Sequence, residues 1–206
     1  MRHFSSREFE ADDIIGTLAA RGRAAGLPIT VVTRDKDMAQ VVRDGDVYWD
    51  YAANERYRYH EIEGRFGCAP ERFVDYLALT GDSVDNIPGV PGVGPKTAAA
   101  IMREFASLDA LYADLERVRG LPIRGAAKLP EKLLQHRDAA YLARQLTAIA
   151  CDMPLDIDHA ALRPRAPDMV GLTAYFDGLG FGPMLRRQAE RLAALSATRA
   201  TATAIR

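Results

Sequence analysis

The chain has 206 residues, 48% of them hydrophobic, enough for one large domain or two small ones with a real core. With no apolar run of about 18 residues and no apolar stretch in the opening Met1 to Ser6, neither a membrane span nor a signal peptide is expected. A formal net charge of −1 argues against a simple DNA-coating protein.

In chain order, Ile14, Ile15, Leu18 and Ala19 recur at helical spacing, predicting a helix from Glu10 to Ala25 that stops at Gly26-Leu27-Pro28. Ile29 to Thr33 is a β-branched run that reads as a buried strand. Asp37 to Val42 reads as a short helix, Val47 to Asp50 as a second strand, and Tyr57 to Tyr59 as its hairpin partner. Helix, buried strand and helix in that order indicate an α/β arrangement, whose ligands gather beyond the carboxyl ends of the strands, where Asp35 and Asp37 lie.

After Gly67 the pattern becomes helical: Pro70 to Leu79, Pro95 to Phe105, then about 107–116, 130–136, 138–149, 168–177 and 183–195. Met153 to Ile157 reads as an extended return strand. Residues 1–66 are therefore expected to form an α/β portion, 67–195 an all-helical half, and 196–206 a disordered tail. Cys68 and Cys151 lie far apart without metal spacing and read as reduced thiols of a cytoplasmic protein.

Charge is uneven. Residues 1–85 carry sixteen acidic against eleven basic side chains, and residues 86–206 twelve against sixteen. That suits an enzyme holding cations in one place and a polyanion in another, and an accidental asymmetry fits as well.

Three acidic clusters stand out: Glu10-Ala11-Asp12-Asp13, Asp35-Lys36-Asp37 and Asp82-Ser83-Val84-Asp85. Carboxylates at a helix start cap free N–H groups and complement the dipole, which accounts for the first cluster taken alone. If all three converge, their charges repel and raise their pKa values unless cations neutralise them. An all-oxygen set of this kind suits Mg²⁺ or Mn²⁺, and two such ions could activate water against a phosphodiester. Metal site and solvated charge both remain open on the residues alone.

Gly89-Val90-Pro91-Gly92-Val93-Gly94-Pro95-Lys96-Thr97-Ala98 joins two predicted helices. Its glycines admit close approach of a ligand, and the following helix offers free N–H groups to a phosphate, with Lys96 and Thr97 beside them. A P-loop is excluded, since the string does not follow a strand in the required spacing. His60, His136 and His159 are isolated and receive no catalytic role. Tyr48, Trp49, Tyr51, Tyr57 and Tyr59 are read as sheet packing in preference to base stacking. Arg124, Lys128 and Lys132 fit a phosphate-tracking surface and an ordinary wet helix face equally.

Glu10 to Ile15, Val32 to Asp37 and the string from Tyr76 through Gly81-Asp82-Ser83-Val84-Asp85-Asn86-Ile87-Pro88-Gly89-Val90 to Ala98 resemble the 5′–3′ exonuclease domain of bacterial DNA polymerase I and the related flap endonucleases. The likeness continues through Leu121 to Lys128 and Ala140 to Ile149, and covers most of residues 10 to 190. It implies a PIN-like α/β nuclease portion followed by a helix–three-turn–helix DNA-binding half. It also implies metal carboxylates at Glu10, Asp12, Asp13, Asp35, Asp37, Asp82 and Asp85, with Asp12, Asp13, Asp35 and Asp37 catalytic. DNA would be gripped at Gly89, Val90, Gly92, Val93, Gly94, Lys96 and Thr97. The implied cofactors are two or more Mg²⁺ or Mn²⁺ ions with K⁺ at the glycine turn; the implied partners are DNA 5′ ends, flaps and duplex junctions, met by a monomer.

Two departures from the family pattern matter. Its opening strand with a further metal-ligand Asp, and its helical arch, find no counterpart before Glu10, so the expected alternative is a DNA-structure-binding module that is catalytically impaired. A more distant one is a protein-interaction remnant that no longer touches DNA. Arg34 stands where relatives carry a small residue, and is expected to alter metal affinity by pairing with the carboxylates or meeting phosphate.

Overall fold

The computed structural model describes residues 3–156, 162 and 166–203. They fall into two compact units, Ser5–Leu155 and a smaller one from Asp156 onward that includes the residues through Phe4. The boundary expected between 66 and 67 lies inside the larger unit.

That unit opens with helix α1 (Ala11–Ala24), whose Asp12 and Asp13 in the first turn and Arg21 and Arg23 in the last complement the helix dipole. Its buried face is Ile14, Gly16, Thr17, Ala19 and Gly22. Strand β1 (Thr30–Val32) leads to a 3₁₀ turn (Lys36–Val41), then β2 (Val47–Asp50) and β3 (Glu55–Arg58). β1 and β2 are parallel, Val31 opposite Tyr48, while β2 and β3 are antiparallel, Trp49 opposite Arg56. β1 and β3 are the edge strands of this sheet among the described residues, and β1 buries Val31 while Val32 is exposed.

The expected hairpin partner of β2 is β3, with Tyr57 opposite Tyr48 and Arg58 opposite Val47, but the pairing ends there and Tyr59 begins helix α2 (Tyr59–Phe66). Only Ile62 of this helix is buried, so its octet carries little apolar periodicity. Its ends are set locally: the Arg58 N–H donates to Glu61 at 2.7 Å, and Gly67 closes the helix at φ 92°.

Helix α3 (Phe73–Thr80) is the centre of the core, with Phe73 and Asp75 through Leu79 all buried. It packs against α4 (Pro95–Glu104) and α7 (Arg137–Thr147), with α5 (Leu108–Ala113) and α6 (Leu129–Gln135) completing the helical half. Asp75 is the exception on an apolar face. It accepts the Leu108 N–H at 2.9 Å and pairs with Arg144 Nε at 2.8 Å, tying α3 to α5 and α7.

The segment expected as a return strand from Met153 to Ile157 is not one. Through Asp156 it has no regular structure, and Ile157 lies outside the described residues. Its backbone is held instead by side chains of α1: the Thr17 hydroxyl donates to the Ala150 carbonyl at 3.3 Å and accepts from Met153 N–H at 3.2 Å, while Arg21 donates to the Met153 carbonyl at 3.1 Å. A strand needs a sheet edge; this chain found the polar groups of a helix. Gln40 makes a similar tie, donating to the Thr147 carbonyl at 2.9 Å and accepting from Ile149 N–H at 3.0 Å.

In the smaller unit α8 (Met169–Gly178) packs against α9 (Pro183–Thr203). The stretch from Ser196 read as a disordered tail is helical as far as Thr203; residues 204–206, like His159, lie outside the described residues. Among the described residues no helix is long and apolar enough to cross a membrane.

Candidate active site

The three acidic clusters are delivered by three different devices. Glu10, Asp12 and Asp13 sit at the start of α1. Asp35 and Asp37 follow β1, where the Asp35 side chain caps the 3₁₀ turn by accepting Asp37 N–H at 2.9 Å and the buried Tyr48 hydroxyl donates to the Asp35 carbonyl at 3.2 Å. Asp82 and Asp85 lie on a small hairpin of β4 (Gly81–Asp82) and β5 (Ile87–Pro88), Asp82 opposite Ile87. Asn86 takes the left-handed φ of 56° that this tight return requires.

Carboxylate oxygens of Asp37, Asp82 and Asp85 lie within 4.8 Å of one another. Burial drives the Asp37 carboxyl up to about 6; Lys36 opposes this, while Asp35 and Asp82 add to it. The Asp12 carboxyl is also raised, first by burial and then by Asp35, Glu10, Asp13 and Asp85. Asp12 thus shares a field with the second and third clusters, and the clusters converge electrostatically.

Lys36 partly neutralises that field. Its ammonium pairs with Asp82 and lies 3.2 Å from Asp37 Oδ1. For Asp82, burial works against the charge, but the Lys36 hydrogen bond and the Val84 N–H together hold its carboxyl below the ordinary value. A site that folds around a lysine ammonium bridging two carboxylates has the charge and donor type for a hard cation.

Asp13 has a different task. Its Oδ2 accepts the Glu10 N–H at 3.1 Å and its Oδ1 the Ala150 N–H at 2.8 Å, so it anchors both the start of α1 and the segment crossing it. Glu10 and Asp35 are exposed beside the cluster. Arg34 turns away from the cluster toward Asp50, at 3.8 Å, with its side chain 78% exposed.

The glycine turn adjoins the hairpin directly. A Cβ on Gly89 would come within 2.5 Å of Gly81 N, so the two glycines let the chains touch, and Val90 N–H donates to the Leu79 carbonyl at 2.9 Å. Val90 and Val93 are buried and pin the turn to the core, which leaves Gly92, Gly94 and Lys96 outward. Gly92 has φ +83°, and a Cβ on it would meet Lys132 Nζ at 3.0 Å. Lys132, undecided from sequence, therefore stands over the turn. Trp49 lies under the Arg56 guanidinium at 4.1 Å in the sheet, as the packing reading required.

Family models match both parts of the chain. Residues 1–67 match a 5′–3′ exonuclease N-terminal, resolvase-like domain, and residues 68–170 a 5′–3′ exonuclease C-terminal SAM fold. DNA polymerase I of Pseudomonas aeruginosa is 44% identical over 84% of this chain and 19% of its own length. A 5′–3′ exonuclease of Buchnera aphidicola is 38% identical over 72% of this chain and 52% of its own. The chain thus spans about a fifth of the first relative and about half of the second. Among solved structures, the T5 5′-exonuclease with bound divalent metal ions superposes with a TM-score of 0.59 at 21% identity, over 71% of this chain and 52% of that one. A T5 flap endonuclease solved with DNA and metal ions gives the same TM-score, identity and coverage.

Proposed function

The chain belongs to the 5′–3′ exonuclease family, and we propose that it hydrolyses DNA phosphodiester bonds near 5′ ends and at flap junctions with the help of divalent cations. The observation that carries this reading is the meeting of Asp37, Asp82 and Asp85 within 4.8 Å beside the raised Asp12. Those residues, with Asp35 and Glu10 at the margin, would hold Mg²⁺ or Mn²⁺. Bound there, such ions supply an activated water and neutralise the leaving oxygen.

The chain's own residues do the positioning. The turn from Gly89 to Thr97 offers backbone N–H groups at the start of α4, whose N-cap Gly94 provides no side-chain bond to them. Lys96 and Lys132 stand beside that turn and would hold phosphates of the duplex without reading its sequence. K⁺ on the carbonyls of the same turn belongs to this proposal. So do the protein acting as a monomer and its residing in the cytoplasm. Lys36, which pairs with Asp82 and Asp37, would be placed to meet a phosphate oxygen when cations take over those carboxylates.

A 5′-labelled flap substrate incubated with Mg²⁺ or Mn²⁺ tests the reading. Cleavage near the junction that Asp82→Asn abolishes supports it. Salt-sensitive binding without cleavage at any metal concentration would reduce the protein to a DNA-structure-binding module.

A further inference from the structure

Beyond the glycine turn, on the other flank of Lys96, an open groove runs between the end of α2 and the start of α4. Its walls are Arg65, Phe66, Ala99 and Arg103, with Lys96 at its mouth and Tyr76 at its floor. Gly67, at φ +92°, borders it, 3.9 Å from the Tyr76 hydroxyl and 3.8 Å from Ala99 Cβ as measured from where its Cβ would stand.

Tyr76 is the telling residue. The residue is 7% exposed and its ring packs against Phe73 at 5.5 Å, while its hydroxyl makes no hydrogen bond among the described residues and lies open to the groove. A phenol hydroxyl that the protein leaves unpaired at an opening is free to donate to a ligand there. Burial raises the Tyr76 pKa, so the group is a proton donor facing the groove.

The charged residues of the lining are all cationic. Lys96 has no ion-pair partner among the described residues. Arg103 spends its Nε–H on Glu63 at 3.0 Å, and its terminal amino groups make no hydrogen bond among those residues. Arg65 donates its Nε–H to the Tyr57 hydroxyl at 2.8 Å and lies 3.9 Å from Glu55. The N–H groups of Lys96 and Thr97, in the first turn of a ten-residue helix, have no acceptor within it. One neutral donor and three cations converge on one opening, with no carboxylate lining it.

We propose that this groove is a second phosphate site, in which the Tyr76 hydroxyl, Lys96 and Arg103 hold a phosphodiester of the same DNA duplex that the glycine turn grips. This rests on the proposed function, since it extends that grip along one strand. Lys96 belongs to both sites and links them.

The test is equilibrium binding of a fluorescein-labelled flap duplex at several salt concentrations. Ca²⁺ replaces Mg²⁺, so that the acids are neutralised while affinity, and not turnover, is read. Tyr76→Phe removes one hydroxyl and is expected to weaken binding by roughly fivefold, the size of a single hydrogen bond, with the salt slope unchanged. Arg103→Gln is expected to weaken binding and to lower the salt slope by about one. Wild-type affinity in Tyr76→Phe, or a wild-type slope in Arg103→Gln, overturns the second site while leaving the nuclease reading intact. If the unaltered protein shows no salt-dependent binding, the nuclease reading itself fails.

Discussion

Asp37 offers a test of the acidic cluster that needs no substrate. In the metal-free protein, burial holds its carboxyl at about 6 against an ordinary 3.8. A rise of that size corresponds to roughly 3 kcal/mol against the ionised form. Lys36 is half-exposed and Asp37 is not wholly enclosed, so solvent screening reduces the expected contribution to about 1–2 kcal/mol. The sign follows from the raised value. The folded state binds the proton more tightly than the unfolded chain, so the stability Asp37 contributes is full below about 3.8 and lost as pH rises through about 6. Asp37→Asn keeps the shape and cannot ionise. In EDTA its advantage should be near zero close to pH 4 and grow to about 1–2 kcal/mol by pH 7.5, a few degrees in melting temperature for a domain of this size. Urea titrations of both proteins at pH 4.5 and pH 7.5 read it directly. With Mg²⁺ added the order should reverse, because the wild type gains binding free energy that the amide variant cannot match. A variant less stable than wild type at pH 7.5 in EDTA, or one whose difference does not change with pH, would refute the reasoning.

Three further outcomes can be checked together. Gly89→Ala should lower the melting temperature and abolish flap cleavage, because its Cβ would sit 2.3 Å from the Thr80 carbonyl carbon and 2.5 Å from Gly81 N, where only backbone could move. Asp75→Ala leaves Arg144 facing Asp109 alone and the Leu108 N–H without its acceptor, so urea denaturation should show a loss of about 3–5 kcal/mol. Arg34→Gly should leave a Mg²⁺ titration of the cluster unchanged, since Arg34 is 78% exposed and reaches Asp50 only at 3.8 Å; a shifted midpoint would restore the expectation drawn from the sequence.

The sequence was most readable where one period dominates. The apolar spacing of α1, the β-branched run of β1 and the Pro-opened α4 appear within a residue or two of their expected bounds. The acidic clusters were legible as clusters. Their division of labour was not: nothing local separates Asp12, raised by its neighbours, from Asp13, whose oxygens serve Glu10 and Ala150. That difference depends on a partner 137 positions away in the chain. Helix α2 was missed because one buried residue in eight leaves no period to read. Asp75 did carry a signal, an acid in the middle of a buried helical face, which calls for a buried partner. Tyr76, its neighbour, carried none, since a tyrosine on such a face reads as packing until its hydroxyl is seen to lack a partner.

The deepest consequence of the fold lies in the six residues between Asp82 and Gly89. The same hairpin that delivers Asp82 and Asp85 returns the chain so closely that Gly89 lies against Gly81, and the glycine turn begins there. The acids and the proposed phosphate grip are therefore not two sites on flexible arms but the two ends of one short, hydrogen-bonded return, fixed to α3 by the Val90 N–H on the Leu79 carbonyl. Under the proposed function, a phosphate at the turn would be held at a set distance from Asp37, Asp82 and Asp85. Rigidity of this kind lets binding energy be used for placement. It also explains why glycine is needed at both 81 and 89, where a side chain on either would part the strands and separate the grip from the cluster it serves.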